Sequence, residues 1–132
     1  MGNNALVASG INLLVFKFQN GEVVVRVDTS KSPITATRLL NSIPIVAPYT
    51  RIGNLISIPV DLGSLPETYE VRVRRGELAY RPNVKQLVLA VEDTVLDSRV
   101  NPLGIVVFNL DLLNSLKSSI VTITAPGVKK GK

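Results

Sequence analysis

The chemistry available to this chain is narrow, because its sequence contains neither histidine nor cysteine. That composition excludes nucleophilic catalysis by a serine–histidine or cysteine–histidine pair, as well as disulfides and zinc–thiolate sites. Three acids, Glu92, Asp93 and Asp97, are close enough in sequence to suggest paired-carboxylate chemistry. No histidine or metal-ligand pattern accompanies them, so a solvated acidic loop is the preferred interpretation. We therefore predict no metal site and no cofactor.

The basic side chains offer a different chemistry, the binding of anions. Arg72 and Arg74 alternate with apolar residues in the predicted strand Tyr69–Arg75, which places them on one side of it. The formal net charge of the chain is +5, and part of it lies in a lysine-rich tail. Together with Arg75, this stripe could bind nucleic acid. A solvated strand face with Glu70 as a neighbour is the simpler interpretation, so nucleic acid is not the expected partner.

Length and composition limit the elements that can position these side chains. A chain of 132 residues forms one domain with a single core. It has three Phe, three Tyr and no Trp, so Val, Leu and Ile must build that core, and β-branched residues favour strands. We predict a flexible segment at 1–10, a folded domain at 11–126 and a flexible basic tail at 127–132. No apolar run reaches the roughly 20 residues that span a bilayer, and the start resembles no signal peptide, so a cytoplasmic protein without a membrane partner is expected.

The stretch Gly76–Val91 is the element around which the others are organised. It predicts a short strand, a turn at Arg81–Asn83 and a continuous apolar strand at Gln86–Val91. An apolar run of this length, bounded by turn residues, is typical of a strand that is buried on both faces. Only a closed barrel or a covered sheet provides such burial.

Local patterns predict the other elements. Gln19–Gly21 is a hairpin signal between the strands Ile11–Phe18 and Glu22–Asp28. Ser32 is expected to cap a helix whose first residue is proline. Prolines in Ile45–Val60 predict that any strand there is short or lies at an edge. The further predicted elements are strands at Leu55–Ile58, Leu103–Phe108 and Ile120–Thr124, a polar loop at Glu92–Pro102 and a short helix capped by Asn109.

Several separated stretches resemble the cyclophilins. Gly21–Leu40, GEVVVRVDTSKSPITATRLL, looks like that family's first hairpin strand, proline-containing turn and first helix. Gly104–Leu116, GIVVFNLDLLNSL, resembles its late strand and the helix after it. Between them, Gln86–Leu89 is similar to the family's Gln-Phe-Phe-Ile, and Leu96-Asp97 is similar to its Leu-Asp. Gly76–Pro82 is similar to a pattern of the small prokaryotic TM1367-like cyclophilin-like domains, a group without an assigned function.

The resemblance implies a mainly β fold, a closed eight-stranded antiparallel cyclophilin-like barrel over residues 11–126 with two short helices covering its ends. It also implies a ligand groove on the side of the barrel. In cyclophilins an arginine donates a hydrogen bond near the prolyl nitrogen, and Arg51 in the segment Tyr49–Ile52 has a similar context. The predicted groove residues are Arg51, Tyr80, Arg81, Gln86, Val88, Leu96 and Val100.

The cyclophilins are peptidyl-prolyl isomerases, and the aromatic pocket of that family is missing from this sequence. Val88 stands where the resemblance implies a phenylalanine, Val95 where it implies a tryptophan and Val100 where it implies a histidine. An aliphatic floor offers a prolyl ring less contact area, so it binds both the ring and the twisted transition state more weakly. We therefore expect a binding module that holds a peptide or small ligand in a side groove without efficient catalysis.

Two alternative functions stay open at the level of sequence. The first is a weak peptidyl-prolyl cis-trans isomerase that uses Arg51 as its donor, so the sequence does not decide whether the chain is an enzyme. The second is a nucleic-acid binder that uses Arg72, Arg74 and Arg75. A proline-containing peptide or a small molecule is the expected partner, and no pattern indicates an oligomeric state.

Overall fold

The computed structural model describes residues 12–126 of the chain. The flexible segment predicted at 1–10 and the basic tail predicted at 127–132 lie outside the described residues. The strands within the described part are β1 Asn12–Phe18, β2 Gly21–Val27, β3 Ile45–Ile52, β4 Leu55–Pro59, β5 Arg72–Val73, β6 Glu77–Arg81, β7 Gln86–Ala90, β8 Thr94–Val95, β9 Asn101–Phe108 and β10 Ser118–Thr124. The helices are α1, Pro33–Ser42, and a short 3-10 helix, Leu110–Ser115.

Eight of the strands close into one antiparallel barrel in the order β1-β10-β3-β4-β7-β6-β9-β2. The barrel closes because β1 pairs with β2 along the whole hairpin as well as with β10. β5 and β8 pair only with each other and form a separate two-stranded ribbon, which we call the β5–β8 ribbon. The mainly β fold, the closed eight-stranded barrel and its two short helices are thus confirmed. Within residues 12–126, no helix is long and apolar enough to cross a membrane.

The barrel core is built from alternate residues of the strands, as the period-2 patterns predicted. Both helices add to this core, α1 through Ala36 and Leu39 and the 3-10 helix through Leu113. The strands contribute Val23, Val25, Val27, Leu87, Leu89, Val106 and Val121 to it, among other residues. Full burial of a valine or leucine side chain contributes about 1.5–3 kcal/mol, so this cluster is the main source of stability.

β7 is buried on both faces, as its apolar run predicted. Leu87 and Leu89 point into the barrel core, whereas Val88 and Ala90 point outward into a second apolar cluster. All four side chains are fully buried. The strand therefore lies between two cores, one in the interior of the barrel and one on its outer surface.

Tertiary pairing explains why Pro48 is tolerated in β3, at an edge as predicted, and why the predicted bounds of the strand Tyr69–Arg75 are wrong. β3 spans Ile45–Ile52 and contains Pro48. At Pro48 the strand pairs with β10, whereas its ladder with β4 begins at Thr50. The β4 side of β3 therefore needs no backbone amide from Pro48. In Tyr69–Arg75 only Arg72–Val73 forms a strand. This segment runs outside the barrel, so β8 is its one strand partner, and the predicted polar loop Glu92–Pro102 contains that strand.

Both predicted helix caps are correctly placed but act differently from the prediction. Ser32 occupies the N-cap of α1 without a capping hydrogen bond from its side chain. Asn109 precedes the 3-10 helix in a left-handed conformation, and its Nδ2 donates to the carbonyl oxygen of Glu22 at 2.9 Å. Asn109 therefore ties the 3-10 helix to β2 instead of capping it.

Gly104 is a position where β2 and β9 approach closely. A Cβ atom there would collide with the backbone carbonyl of Arg26 on the neighbouring strand. Next to it, the β6–β9 ladder shifts register between Leu78 and Ala79. Such a bulge increases the local twist of the strands, and it lies beside the start of β9, where the candidate site is found.

Candidate functional site

Three of the four predicted groove residues on β6 and β7, namely Arg81, Gln86 and Val88, lie on the outward side of the barrel wall. Residues directly opposite each other in an antiparallel pair point to the same side of the sheet. Val88 is opposite Ser57 of β4 and Ala79 of β6, and Gln86 is opposite Arg81. We call this outward side of β4, β7 and β6 the outer face.

Most of the outer face is covered by other parts of the chain. Val88 and Val100 are fully buried in the second apolar cluster, and Leu96 packs against it from the segment after β8. The other members of that cluster are Leu55, Val73, Ala79 and Ala90. Val73 comes from the β5–β8 ribbon, so the ribbon closes over the aliphatic floor. The structure thus brings Val88, Leu96 and Val100 together, but as a packed second core.

Arg81 and Gln86 lie at the edge of the second core and are half-buried. Arg81 Nη2 is 3.5 Å from Asp97 Oδ1, and the side chain of Asp97 is 90% exposed. An ion pair that is open to water in this way contributes at most about 1 kcal/mol to the stability of the fold. These residues form a polar margin around the second core.

Tyr80 does not face the outer side at all. Its side chain is fully buried in the barrel core, and its hydroxyl accepts a hydrogen bond from the Leu62 amide at 3.0 Å. That bond satisfies the one polar group of an otherwise apolar side chain. Tyr80 therefore anchors the loop after β4 and is not positioned as a lid over the outer face.

Arg51 also lies away from the outer face. It is opposite Ile56, a barrel-core residue, so its side chain leaves β3 on the interior side, near the end of the barrel. Its Nε donates to the carbonyl oxygen of Gly53 at 3.0 Å, and its Nη1 donates to that of Asn114 at 3.1 Å. The guanidinium therefore ties β3 to the 3-10 helix, on the side of the barrel wall opposite to Val88.

The three acids that suggested paired-carboxylate chemistry, Glu92, Asp93 and Asp97, do not converge into one site. Asp93 accepts a hydrogen bond from the Arg75 amide at 2.8 Å, whereas Asp97 lies next to Arg81. Within residues 12–126, no group of three or more acidic side chains is close enough to hold a metal ion.

An open concavity of about 370 Å³ lies beside the second core. Its lining residues are Lys31, Thr68, Glu70, Arg72, Arg74, Glu77 and Pro102. We call it the basic cleft. Alternate residues from Thr68 to Arg74 face it, while Val73, from the other side of the same segment, is buried in the second core. The alternation that the sequence showed in this segment therefore separates a buried side from a cleft side.

The charged groups of the basic cleft are not neutralised by one another. Elsewhere in the described residues, ion pairs join Arg75 to Asp111 at 3.2 Å and Lys85 to Asp61 at 3.7 Å. No ion pair in that part of the chain involves Lys31, Arg72 or Arg74. The cleft thus presents cations that are available to a ligand, whereas Arg75 of the predicted arginine stripe is engaged by Asp111.

A partly buried polar network fixes the walls of the basic cleft. Glu67 accepts hydrogen bonds from the amides of Ile34 and Thr35, at 3.0 and 2.8 Å, and from the Thr35 hydroxyl at 2.6 Å. Asn101 accepts from the Glu67 amide at 2.8 Å and donates to Thr35 Oγ1 at 2.9 Å. Ser64 Oγ completes the network, 2.7 Å from Thr35 Oγ1. Glu67 thereby provides the N-terminal cap of α1 that Ser32 does not.

This network connects three separate segments that form the cleft. Lys31 lies just before α1, Thr68 follows Glu67, and Pro102 follows Asn101. Thr68 is held further by a hydrogen bond from its hydroxyl to the Val100 carbonyl at 3.0 Å. The walls are therefore positioned by buried contacts and not by the charged side chains themselves.

The same network sets the ionisation of Glu67. Partial burial by itself raises the pKa of this carboxyl, but the hydrogen bonds from the Thr35 hydroxyl and from the Thr35 and Ile34 amides, together with Arg38, outweigh it. The pKa of Glu67 is therefore lowered, and the network contains a carboxylate.

Sequence reasoning found part of the basic cleft and missed the rest. Arg72 and Arg74 stood out because they alternate with apolar residues. Lys31 and Pro102 have no local signal, since they reach the cleft only through the closure of the barrel. Glu67 could have been noticed as an acid available to a helix start that begins with proline, but no sequence pattern places it next to α1.

No protein-family model matches this sequence, and no curated protein matches it either. Among solved structures, the hypothetical protein AF2241 from Archaeoglobus fulgidus is similar, with a TM-score of 0.72 at 21% sequence identity over 87% of this chain and 95% of that chain. McbB, solved in complex with tryptophan, is similar with a TM-score of 0.72 at 15% identity, over 90% of this chain and 46% of McbB. At these identities the similarity shows a shared barrel fold and nothing finer.

Proposed function

We propose that this chain is a binding module and not an efficient isomerase, and that it holds a small ligand with an anionic group in the basic cleft. The observation that supports this most directly is the convergence of Lys31, Arg72 and Arg74 on one concavity without ion-pair partners of their own in the described residues. Guanidinium and ammonium groups that are free of internal partners are the side chains that recognise carboxylates and phosphates.

We also propose that the barrel belongs with the cyclophilin-like domains, near the small prokaryotic TM1367-like group. In support, β2 and α1 occupy the Gly21–Leu40 stretch, where the resemblance implied a strand and a helix. β9 and the 3-10 helix likewise occupy Gly104–Leu116. The ligand site that we propose differs from the groove that this resemblance implied, because the β5–β8 ribbon packs on Val88.

The isomerase alternative has less support. A prolyl donor is useful only if the prolyl ring is held beside it, and the predicted donor Arg51 and the predicted floor Val88 lie on opposite sides of the barrel wall. The nucleic-acid alternative is weakened in a different way. Glu70 and Glu77 line the cleft together with its cations, so an extended phosphate backbone, unlike one small anionic group, would contact carboxylates as well as cations and be repelled by them.

Titration with inorganic phosphate, followed through backbone amide chemical shifts, tests the proposed site. We expect saturable shifts at Lys31, Glu70, Arg72 and Arg74, and an affinity that falls as salt is added, because exposed charges are screened. Lys31→Gln and Arg72→Gln should each weaken phosphate binding about two- to tenfold, the effect of losing one partly exposed charged contact.

Lys17→Gln is the matched control, because Lys17 is an exposed lysine on β1 that does not line the cleft. An equal loss of affinity in Lys17→Gln and Lys31→Gln would mean that phosphate responds only to net charge, and the proposal would fail. A proline-containing peptide titrated in parallel examines the groove hypothesis. Shifts at Gln86, Val88 and Leu96, with none in the cleft, would favour that hypothesis over ours.

A further inference from the structure

The basic cleft contains carboxylates as well as cations. Glu70, Arg72 and Arg74 follow one another on the same side of an extended segment, so neighbouring side chains in this row start roughly 6–7 Å apart. Glu77 lies on β6, across the turn from Arg74, and Lys31 lies on the wall before α1. A ligand in the cleft therefore meets groups of both signs within a few ångströms.

The backbone holds the Glu77 carboxylate, and Glu70 forms no ion pair with the cations of the cleft in the described residues. Glu77 Oε1 accepts a hydrogen bond from the Arg74 amide at 2.7 Å, which directs this carboxylate to the backbone and away from the guanidinium. The Glu70 amide donates to the Thr68 hydroxyl at 3.0 Å, which fixes the start of the row. No ion pair between the acids and the cations of the cleft is present in the described residues. On an ordinary exposed surface, long side chains of opposite charge at this spacing are free to approach each other.

We infer that the cleft recognises a dipolar ligand, a small molecule with an anionic group and an amine on the same short chain. The anionic group contacts Arg72, Arg74 and Lys31, and the amine contacts Glu70. This inference rests on the proposed function, because it assumes that the cleft is the ligand site. A ligand with only an anionic group would satisfy the cations but would leave the Glu70 carboxylate beside its own negative charge.

A pair of probes that differ only in the amine tests this inference. Ethyl phosphate and 2-aminoethyl phosphate share the anionic group and the two-carbon chain. A site that responds only to positive potential binds ethyl phosphate more tightly, because the amine lowers the net negative charge of the ligand. A dipolar cleft binds 2-aminoethyl phosphate more tightly, by about two- to fivefold for one exposed ion pair. The sign of the difference therefore separates the two.

Glu70→Gln identifies the group responsible for the preference. Glu70 is exposed and its carboxylate forms no hydrogen bond or ion pair in the described residues, so the variant should fold normally. We expect it to bind ethyl phosphate more tightly than the parent chain and to lose the preference for 2-aminoethyl phosphate. Glu22→Gln, an exposed acid near the β1–β2 turn and outside the cleft, should keep the preference.

The outcomes distinguish this inference from the proposed function. Equal binding of both phosphates, or tighter binding of ethyl phosphate, at the cleft residues would overturn the dipolar ligand and leave an anion site. A preference that survives in Glu70→Gln would also overturn it, because another group would then contact the amine. If neither ethyl phosphate nor 2-aminoethyl phosphate binds, the proposed function itself is overturned.

Discussion

Glu67 is the residue on which the geometry of the candidate site depends most. A helix start leaves backbone amides without partners inside the helix, and an acid is favoured there by hydrogen bonding and by the helix dipole. In α1 this acid comes from a distant loop, so one carboxylate both caps the helix and joins it to the wall that begins at Thr68. Loss of that carboxylate affects the fold and the cleft together.

The first prediction is that the parent chain loses stability as the pH falls because of Glu67, and that Glu67→Gln removes this pH dependence. The pKa of Glu67 is lowered from its ordinary value of 4.5, so its contribution to stability is complete above that pH and disappears as the pH falls through the lower pKa of the folded state. Glu67→Gln should lower the free energy of unfolding by about 1–3 kcal/mol at pH 7, as expected for charge-assisted hydrogen bonds in a partly buried site.

Denaturant unfolding from pH 7 down to pH 3 measures this effect. The difference between the parent chain and Glu67→Gln should shrink as the pH falls below 4.5, because the carboxyl is protonated first in the unfolded chain and then, at its lower pKa, in the folded chain. Glu22→Gln, an exposed acid, should follow the parent at every pH. A difference that stays constant with pH would show that the charge of Glu67 does not stabilise the network.

At the scale of elements, the β5–β8 ribbon has the largest consequence for function. It contributes Val73 to the second core, and the segment that contains its strand β5 provides the row Glu70, Arg72 and Arg74 that lines the basic cleft. The same short segment therefore covers the outer face with one side and forms a new site with the other. Packing of the second core and the shape of the cleft are linked through this ribbon.

The second prediction tests whether Val88 is a core residue or a groove residue. If Val88 lined an open groove, truncation to alanine would remove little packing. In the second core, Val88→Ala should cost about 1–3 kcal/mol of unfolding free energy, because it leaves a cavity among buried neighbours. Val95→Ala on β8 is the control, since that side chain is 65% exposed and should change stability by less than about 0.5 kcal/mol. Similar small losses in both variants, measured by denaturant unfolding, would contradict the second core.

The elements that the sequence predicted well are those whose signals are local. The β1–β2 hairpin has a turn signal and clean alternation, the start of α1 has a proline, and β7 has a continuous apolar run. The eight-residue length of β3 was not predicted, and the strand at Tyr69–Arg75 was predicted too long, because both depend on partners far away in the chain. The presence of Pro48 in β3 is decided by which edge of that strand is paired, and no local pattern contains that information.

The candidate site was harder to predict than the fold for the same physical reason. Alternation identified Arg72 and Arg74 as residues of one strand side, but it could not show whether that side faces water or a wall. Lys31 and Pro102 form the facing walls only because α1 and β9 meet through Asn101 and Glu67. Identification of the cleft therefore required the closed barrel.

At the scale of the whole molecule, the barrel wall separates features that a side groove would need on one surface. Val88 lies outside the wall under the ribbon, whereas Arg51 leaves β3 on the interior side and contacts the 3-10 helix. Proline isomerisation requires a donor near the prolyl nitrogen and an apolar surface that holds the ring in register with it. A closed wall with these groups on opposite sides does not provide both at once.

The last prediction follows from this separation and concerns catalysis. In an assay of cis-trans isomerisation of a proline-containing peptide, the chain should leave the rate close to the uncatalysed value, since the barrier of roughly 18–20 kcal/mol is lowered only when donor and ring are held together. Arg51→Ala should not change that rate, but it should lower the melting temperature by a few degrees, because two hydrogen bonds between β3, its turn and the 3-10 helix are lost. Lys17→Gln, an exposed cation outside these contacts, should change neither quantity. Clear catalysis that Arg51→Ala abolishes at unchanged stability would mean that Arg51 reaches a bound prolyl group, and the ribbon would then have to open over Val88 to admit it.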